Sequence, residues 1–180
     1  MQPTIGIVML EARFPRILSR PGVASLAYSA KVRTPFAVLG IRERDDTIIA
    51  IDYLAIDAAE LAPTTPLARE AARQIHAFVS DPHNGFDLPI DVNGTPFEER
   101  VWAAIRTIPS GQVRTYGAIA RLTASAPRAV GGACGRNPLP LIIPCHRVVA
   151  AGNGLGGFMR GRDDNALSIK RWLLVHEGFL

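Results

Sequence analysis

Between Asn137 and Val149 the chain reads Asn-Pro-Leu-Pro-Leu-Ile-Ile-Pro-Cys-His-Arg-Val-Val. Proline fixes its own φ and lacks an amide donor, and it biases the preceding residue toward extended backbone. Pro138, Pro140 and Pro144 therefore exclude a regular helix or a central strand here and predict a rigid, extended approach to Cys145. Cys134 and Cys145 are the only cysteines in 180 residues, which excludes a disulfide framework and a four-cysteine zinc site. Chemistry at Cys145 is then chemistry of a thiol. An ordinary thiol is only about 3% thiolate at pH 7, so a nucleophile needs a nearby base or positive field. His146 and Arg147 follow Cys145 directly. Successive side chains of an extended chain point to opposite faces, so a turn or a bridging water has to join thiol and imidazole. His146 would also need a carboxylate to fix its tautomer. Glu177, at the end of an apolar helix, is the last acidic residue of the chain. Taken alone, a Cys-His pair is more often structural than catalytic.

The rest of the chain predicts two units. Ala24 to Val32, Phe36 to Arg42 and Thr47 to Leu54 read as strands, the last two joined through Glu43 to Asp46 as a hairpin. Pro66 opens an amphipathic helix carrying Leu67, Ala71, Ile75 and Phe78, which stops before Asp81-Pro82. Turn-prone residues from Ser80 to Gly85 place a boundary there, dividing residues 1–85 from 86–180. Thr95-Pro96-Phe97-Glu98 then has the capping box and the first-turn proline of a helix whose stripe is Phe97, Val101, Ala104, Ile105 and Ile108, ended by Pro109-Ser110-Gly111. A second helix opens at Thr115 or Tyr116. A third runs from Pro127 to about Gly135, so the pair outlines a helix-turn-helix. With 48% hydrophobic residues the chain can bury a core. The apolar run Ile5 to Leu10 is too short to span a bilayer and no basic stretch precedes it, so no membrane association and a cytoplasmic location are expected.

Charge is unevenly spread. Arg100 to Arg162 contains nine arginines and no carboxylate, which points to a polyanionic partner. The third helix is unusual: Arg128, Gly132 and Arg136 share one face, giving a smooth surface with cationic ends, although interior glycine costs about 1 kcal/mol each in propensity. That surface suits close approach to a nucleic-acid backbone or narrow groove. Tight helix packing inside the protein is the competing explanation.

Pro144-Cys145-His146-Arg147-Val148 with Asn137-Pro138 upstream, the Arg128-Ala129-Val130-Gly131-Gly132 helix, and Lys170-Arg171-Trp172-Leu173-Leu174-Val175-His176-Glu177-Gly178 closely resemble the O6-alkylguanine-DNA alkyltransferases, the methylated-DNA–protein-cysteine methyltransferases. The likeness extends through Gly94 to Trp102, Ile108 to Gly111 and Thr115 to Gly117, so it is dense over residues 86–178. It implies an α+β fold, with a small RNase H-like α/β domain of antiparallel strands and a helix, then a mainly helical, winged-helix-like domain. It implies irreversible, single-use transfer of a methyl or alkyl group from O6-alkylguanine, and from O4-alkylthymine, in double-stranded DNA to Cys145. No cofactor and no metal are required, and the protein is expected to act as a monomer.

By the same resemblance His146 is the base, acting through a water, and Glu177 orients it. Asn137 holds the turn before the active-site strand. Tyr116 helps to rotate the nucleotide and protonates the departing guanine, and Arg128 fills the space left by the flipped base. Thr115, Ala129, Gly132 and Arg136 complete the DNA-binding set, while Val148, Phe158, Met159 and Lys170 belong to the substrate pocket, with the Val148 N–H as donor to O6. A base inside the stack is out of reach, so extrusion is part of the expectation. The Tyr116 to Arg128 interval is about two residues shorter than the family pattern, the loop after Phe158 runs on through Asp163-Asp164, and Phe158 has no hydroxyl. Cys134 is expected as a small packing residue. Three other readings are a non-catalytic lesion sensor or regulator, a cysteine hydrolase, and a zinc site on Cys134, Cys145 and His146 with another histidine.

Overall fold

Asp45 and Asp46 both take left-handed backbone, with φ of 48° and 57°. Two successive positive φ values make the tight hairpin turn whose twist matches that of strands, and aspartate tolerates this region. The strands consequently run further into the connection than expected. In the computed structural model, which describes residues 26–152, 154–159 and 164–180, β1 (Ala30–Arg33), β2 (Val38–Arg44) and β3 (Thr47–Leu54) form an antiparallel sheet in that order. The connection shrinks from the expected Glu43–Asp46 to Asp45–Asp46, since Arg44 pairs with Thr47. Helix α1 (Pro66–Ser80), capped by the Thr65 hydroxyl, packs Ala68, Ala71, Ile75 and Phe78 inward. The expected strand start at Ala24, the run Ile5 to Leu10 and loop residues Arg160 to Asp163 lie outside the described residues.

Helix α2 (Pro96–Arg106) carries the full capping box between Thr95 and Glu98. It ends before Pro109-Ser110-Gly111, because Ile108 N–H bonds back to Ile105 in a tightened last turn. Then come β4 (Arg114–Thr115), α3 (Tyr116–Leu122) and α4 (Pro127–Gly135). Ala124, at φ 47°, makes the corner between the two helices.

The Asn137 to Pro144 segment is not extended. Ile143 N–H bonds to Leu139 O at 2.8 Å and Leu141 sits at φ 72°, so the prolines stiffen a compact loop. The reason lies in Asn137, whose side chain accepts from Leu139 N–H and donates to Ile143 O, closing the loop from within. The chain continues through a 3-10 turn (Cys145–Arg147), β5 (Val148–Val149), which pairs in parallel with β4, and α5 (Asp164–His176).

One apolar core runs through both halves of the chain, from Leu39, Ile51 and Phe78 to Trp102, Ile119, Ile143 and Leu173. Ile51 N–H donates to Pro138 O, the Phe36 ring lies 4.6 Å from that of Trp172, and His176 Nε2 bonds Phe78 O. The sheet therefore braces the loop that delivers Cys145. Among the described residues no helix is long and apolar enough to cross a membrane.

Candidate active site

Cys145 is presented by a turn, as its neighbours in sequence require. Pro144, at φ −79° and ψ 65°, is the centre of a tight turn in which Cys145 N–H bonds Ile143 O, so the thiol leaves the loop at its tightest point. Asn137 Nδ2 stands 3.1 Å from Cys145 Sγ while it also holds Ile143 O at 2.8 Å. One amide thus ties the loop and touches the sulfur. Cys145 is 6% exposed, and burial pushes its thiol well up, with the Cys134 thiol adding to the rise while the Asn137 amide and the Lys170 ammonium pull it down. The resting sulfur is protonated and needs a base.

His146 Nε2 lies 2.8 Å from Glu177 Oε1, both side chains being fully enclosed. Burial would raise the Glu177 carboxyl, but hydrogen bonds from His146 and Arg147 hold it at about 2. An ionised carboxylate only accepts, so the Nε2 proton belongs to His146, and Nδ1 keeps the lone pair a base requires. Burial pulls the imidazole below its ordinary range against the raising effect of Glu177, so it is neutral at pH 7. Arg147 completes the group: Nε and Nη2 grip both Glu177 oxygens at 2.7–3.1 Å and Nη1 bonds Ile108 O at 2.6 Å.

The thiol opens on a cleft of about 470 Å³ lined by Tyr116, Arg128, Cys134, Cys145, Phe158 and Met159 among others. The Tyr116 hydroxyl donates to Gly157 O at 3.1 Å. Gly156, at φ 71°, lets the loop pass under the Tyr116 ring, where an added Cβ would lie 2.7 Å from a ring carbon. The Phe158 ring packs edge-on against Tyr53 of β3 at 5.9 Å, so this wall is apolar and offers no hydroxyl. Lys170 and Val148 stand behind the wall, both wholly buried. Lys170 Nζ donates to the carbonyls of Val148, Leu155 and Gly157, and burial brings its ammonium down to about 8. The Val148 N–H closes the 3-10 turn on Cys145 O, so in this structure it is engaged within the chain.

On α4, Arg128 and Ala129 are exposed, and Arg128 stands at the rim of the cleft. A Cβ built on Gly131 would meet only the Tyr116 ring at 3.9 Å, and on Gly132 only the end of the Arg136 side chain, from 3.3 Å. Among the described residues the Tyr116 ring of α3 comes no closer than ordinary contact and no backbone of another element is among the nearest neighbours of either glycine, so tight internal packing does not account for them. Arg136 is ion-paired with buried Glu98 of α2, and the Thr115 hydroxyl caps α3 by accepting from Ala118 N–H. Of the expected residues, the fold brings Tyr116, Arg128, Cys145, Phe158 and Met159 to one cleft, sets Asn137 against the thiol with Lys170 in electrostatic reach, and pairs His146, next in the chain to Cys145, with Glu177. Arg136 and Thr115 are committed to contacts within the protein.

The 6-O-methylguanine DNA methyltransferase DNA-binding domain model matches residues 96–179. A constitutive methylated-DNA–protein-cysteine methyltransferase of Bacillus subtilis is 34% identical over 157 residues, which cover 82% of this chain and 93% of that protein. The chain belongs to the methylated-DNA–protein-cysteine methyltransferase family. A Metallosphaera sedula member is 35% identical over 147 residues, covering 82% of this chain and 90% of its own. The crystal structure of Mycobacterium tuberculosis OGT in complex with DNA superposes with a TM-score of 0.70 at 33% identity, covering 82% of this chain and 90% of that one.

Three residues of this methyltransferase escaped sequence reasoning. Arg147 neighbours His146, but its grip on Glu177 becomes visible only once α5 is folded against the turn. Tyr53 sits in a strand with no distinguishing signal, yet its ring backs Phe158 at the cleft, with a buried hydroxyl that finds no hydrogen-bond partner among the described residues. Cys134, expected as packing, does pack against the core but also lines the cleft beside Cys145.

Proposed function

We propose that this chain repairs DNA by direct reversal, taking the alkyl group of O6-alkylguanine onto Cys145 in one irreversible transfer. The observation that carries the reading is the buried relay in which ionised Glu177 fixes the His146 tautomer beside the cleft-facing thiol. His146 Nδ1, through a water, takes the Cys145 proton. The thiolate attacks the alkyl carbon, the C–O bond breaks toward guanine, and the Tyr116 hydroxyl supplies a proton to the leaving base. Asn137 and the Lys170 cation favour the thiolate. The product is a thioether with no route back to thiol, so each molecule reacts once.

The substrate base is extruded from duplex DNA into the cleft, and Arg128 at its rim takes the vacated place in the stack. The open glycine face of α4 supports close approach to a minor groove, and the carboxylate-free arginine stretch supports phosphate contacts without base readout. O4-alkylthymine fits the same chemistry. We read the protein as acting as a monomer in the cytoplasm, since each residue assigned to the transfer step belongs to this chain.

The test is transfer of radiolabel from O6-methylguanine in duplex DNA. Label is expected on Cys145, never exceeding the protein present, and absent in Cys145→Ala, which retains binding. Turnover, or label on Cys134, would overturn the mechanism. Binding of damaged duplex with no transfer by the native protein would leave a lesion sensor instead.

A further inference from the structure

The chain's two cysteines meet at the cleft. Cys134, in the last turn of α4, is half-buried and lines the same cavity as Cys145, eleven residues further on. Both are free thiols on the wall of one cavity, the Cys134 thiol helps to raise that of Cys145, and the Lys170 ammonium feels the charge of each. Nothing in the transfer mechanism uses Cys134. A packing residue needs no second sulfur against the first, and the neighbouring core offers apolar side chains for that purpose.

We propose that Cys134 and Cys145 form a redox dithiol, which a hydroperoxide entering the cleft oxidises to a reversible intramolecular disulfide that masks the alkyl acceptor. The step balances without further reagents. One thiolate attacks the peroxide O–O bond, giving a sulfenic acid and releasing water or an alcohol. The other sulfur then attacks the sulfenic sulfur, and hydroxide leaves with the thiol proton as a second water. Two thiols and one peroxide become one disulfide, and a dithiol reductant reverses it. Both thiols face one cleft, and α4 stops at Gly135, one residue after Cys134, so the bridge calls for the end of this helix to bring the sulfurs into disulfide geometry.

The consequence rests on Cys145 being the acceptor. A protein used once per lesion is lost to oxidation as surely as to alkylation if its sulfur advances to sulfinic acid, which thiols do not reverse. A resolving thiol in the same cleft intercepts the sulfenic acid first. The oxidised protein would then wait, unreactive toward O6-alkylguanine, until reduced.

The experiment treats the full-length protein with hydrogen peroxide and maps peptides by mass without reduction. The expected result is loss of both free thiols, a peptide pair joining Cys134 to Cys145 that is lighter by two hydrogens, and its disappearance with dithiothreitol. Label transfer falls as the joined pair accumulates and returns on reduction. In Cys134→Ser and Cys134→Ala, Cys145 instead gains oxygen and dithiothreitol fails to restore its free thiol. Oxygen gain at Cys145 in the native protein with no joined pair overturns the proposal, as does equal recovery in the variants. Peptide mapping does not depend on alkyl transfer, so an unoxidised protein that never accepts label would refute the acceptor reading while leaving the disulfide to be judged separately.

Discussion

Glu177 illustrates how one buried carboxylate can serve chemistry and stability together. It is enclosed, which by itself would favour its neutral form, yet three donors from His146 and Arg147 keep it ionised. Its folded value of about 2 lies below the ordinary 4.5, so folding binds fewer protons than unfolding does at this site. The stabilisation is fully present above pH ~4.5 and is lost as pH falls toward ~2, amounting to roughly 3 kcal/mol by linkage. Glu177→Gln is expected to remove this part of the acid dependence, flattening the loss of stability between those limits. It also leaves Arg147 buried without a counter-charge, so denaturant titration at pH 7 should show a loss of about 3–5 kcal/mol. An unchanged acid profile would mean that the carboxylate is neutral in the native protein. The same substitution ends the compulsion on the His146 tautomer, and the rate of label transfer should fall with it.

At the scale of elements, the open face of α4 makes a prediction with opposite signs for two readouts. Gly131→Ala places its methyl 3.9 Å from the Tyr116 ring, an ordinary contact, and helix propensity should raise stability by up to about 1 kcal/mol. If the face exists to approach DNA closely, the same methyl weakens duplex binding. Thermal melting and duplex titration of one variant check both, and lower stability with unchanged binding would restore the internal-packing explanation. What could be read from sequence follows the same division between local and distant causes. Thr65, Thr95 and Thr115 with the prolines at 66, 96 and 127 write helix starts into a few adjacent residues, and α1 to α4 begin where those signals lie. The strand Thr47–Leu54 is equally local. The two-residue pair β4–β5 is too short to have a period, and it exists because the chain returns after Val148. The loop before Cys145 departs from the extended expectation for a related reason. Prolines dictate φ one residue at a time, but the bonds from Asn137 to residues two and six positions on decide whether stiff pieces make a rod or a knot. The shared cleft of the two cysteines likewise has no trace in spacing, since residues 134 and 145 come to one cavity only after that loop has closed.

For the whole molecule, the decisive fact is that the core is continuous. Sheet, helices and the Cys145 loop share buried contacts, and Ile51, Phe36 and Phe78 of the first half bind directly to the second. Heating should therefore produce a single transition whose calorimetric and van't Hoff enthalpies agree, and two resolved transitions would refute this coupling. That coupling also gives the reaction a structural sequel. Cys145 opens on the cleft, but Asn137 stands 3.1 Å from its sulfur, so a methyl group on that sulfur competes with an amide that also helps close the loop. Leaving such a buried donor without its partner costs about 1–3 kcal/mol. Because the loop is braced by the sheet and the sheet by the core, the cost is borne by the whole fold and not by a detachable segment. The fully methylated protein is expected to melt roughly 2–12 °C below the unreacted one in a single transition. Calorimetry before and after stoichiometric reaction with O6-methylguanine DNA, with the DNA then removed, measures the shift. An equal or higher melting temperature would mean that the cleft takes up the methyl without disturbing Asn137, and a second, low-temperature transition would mean that the loop yields on its own.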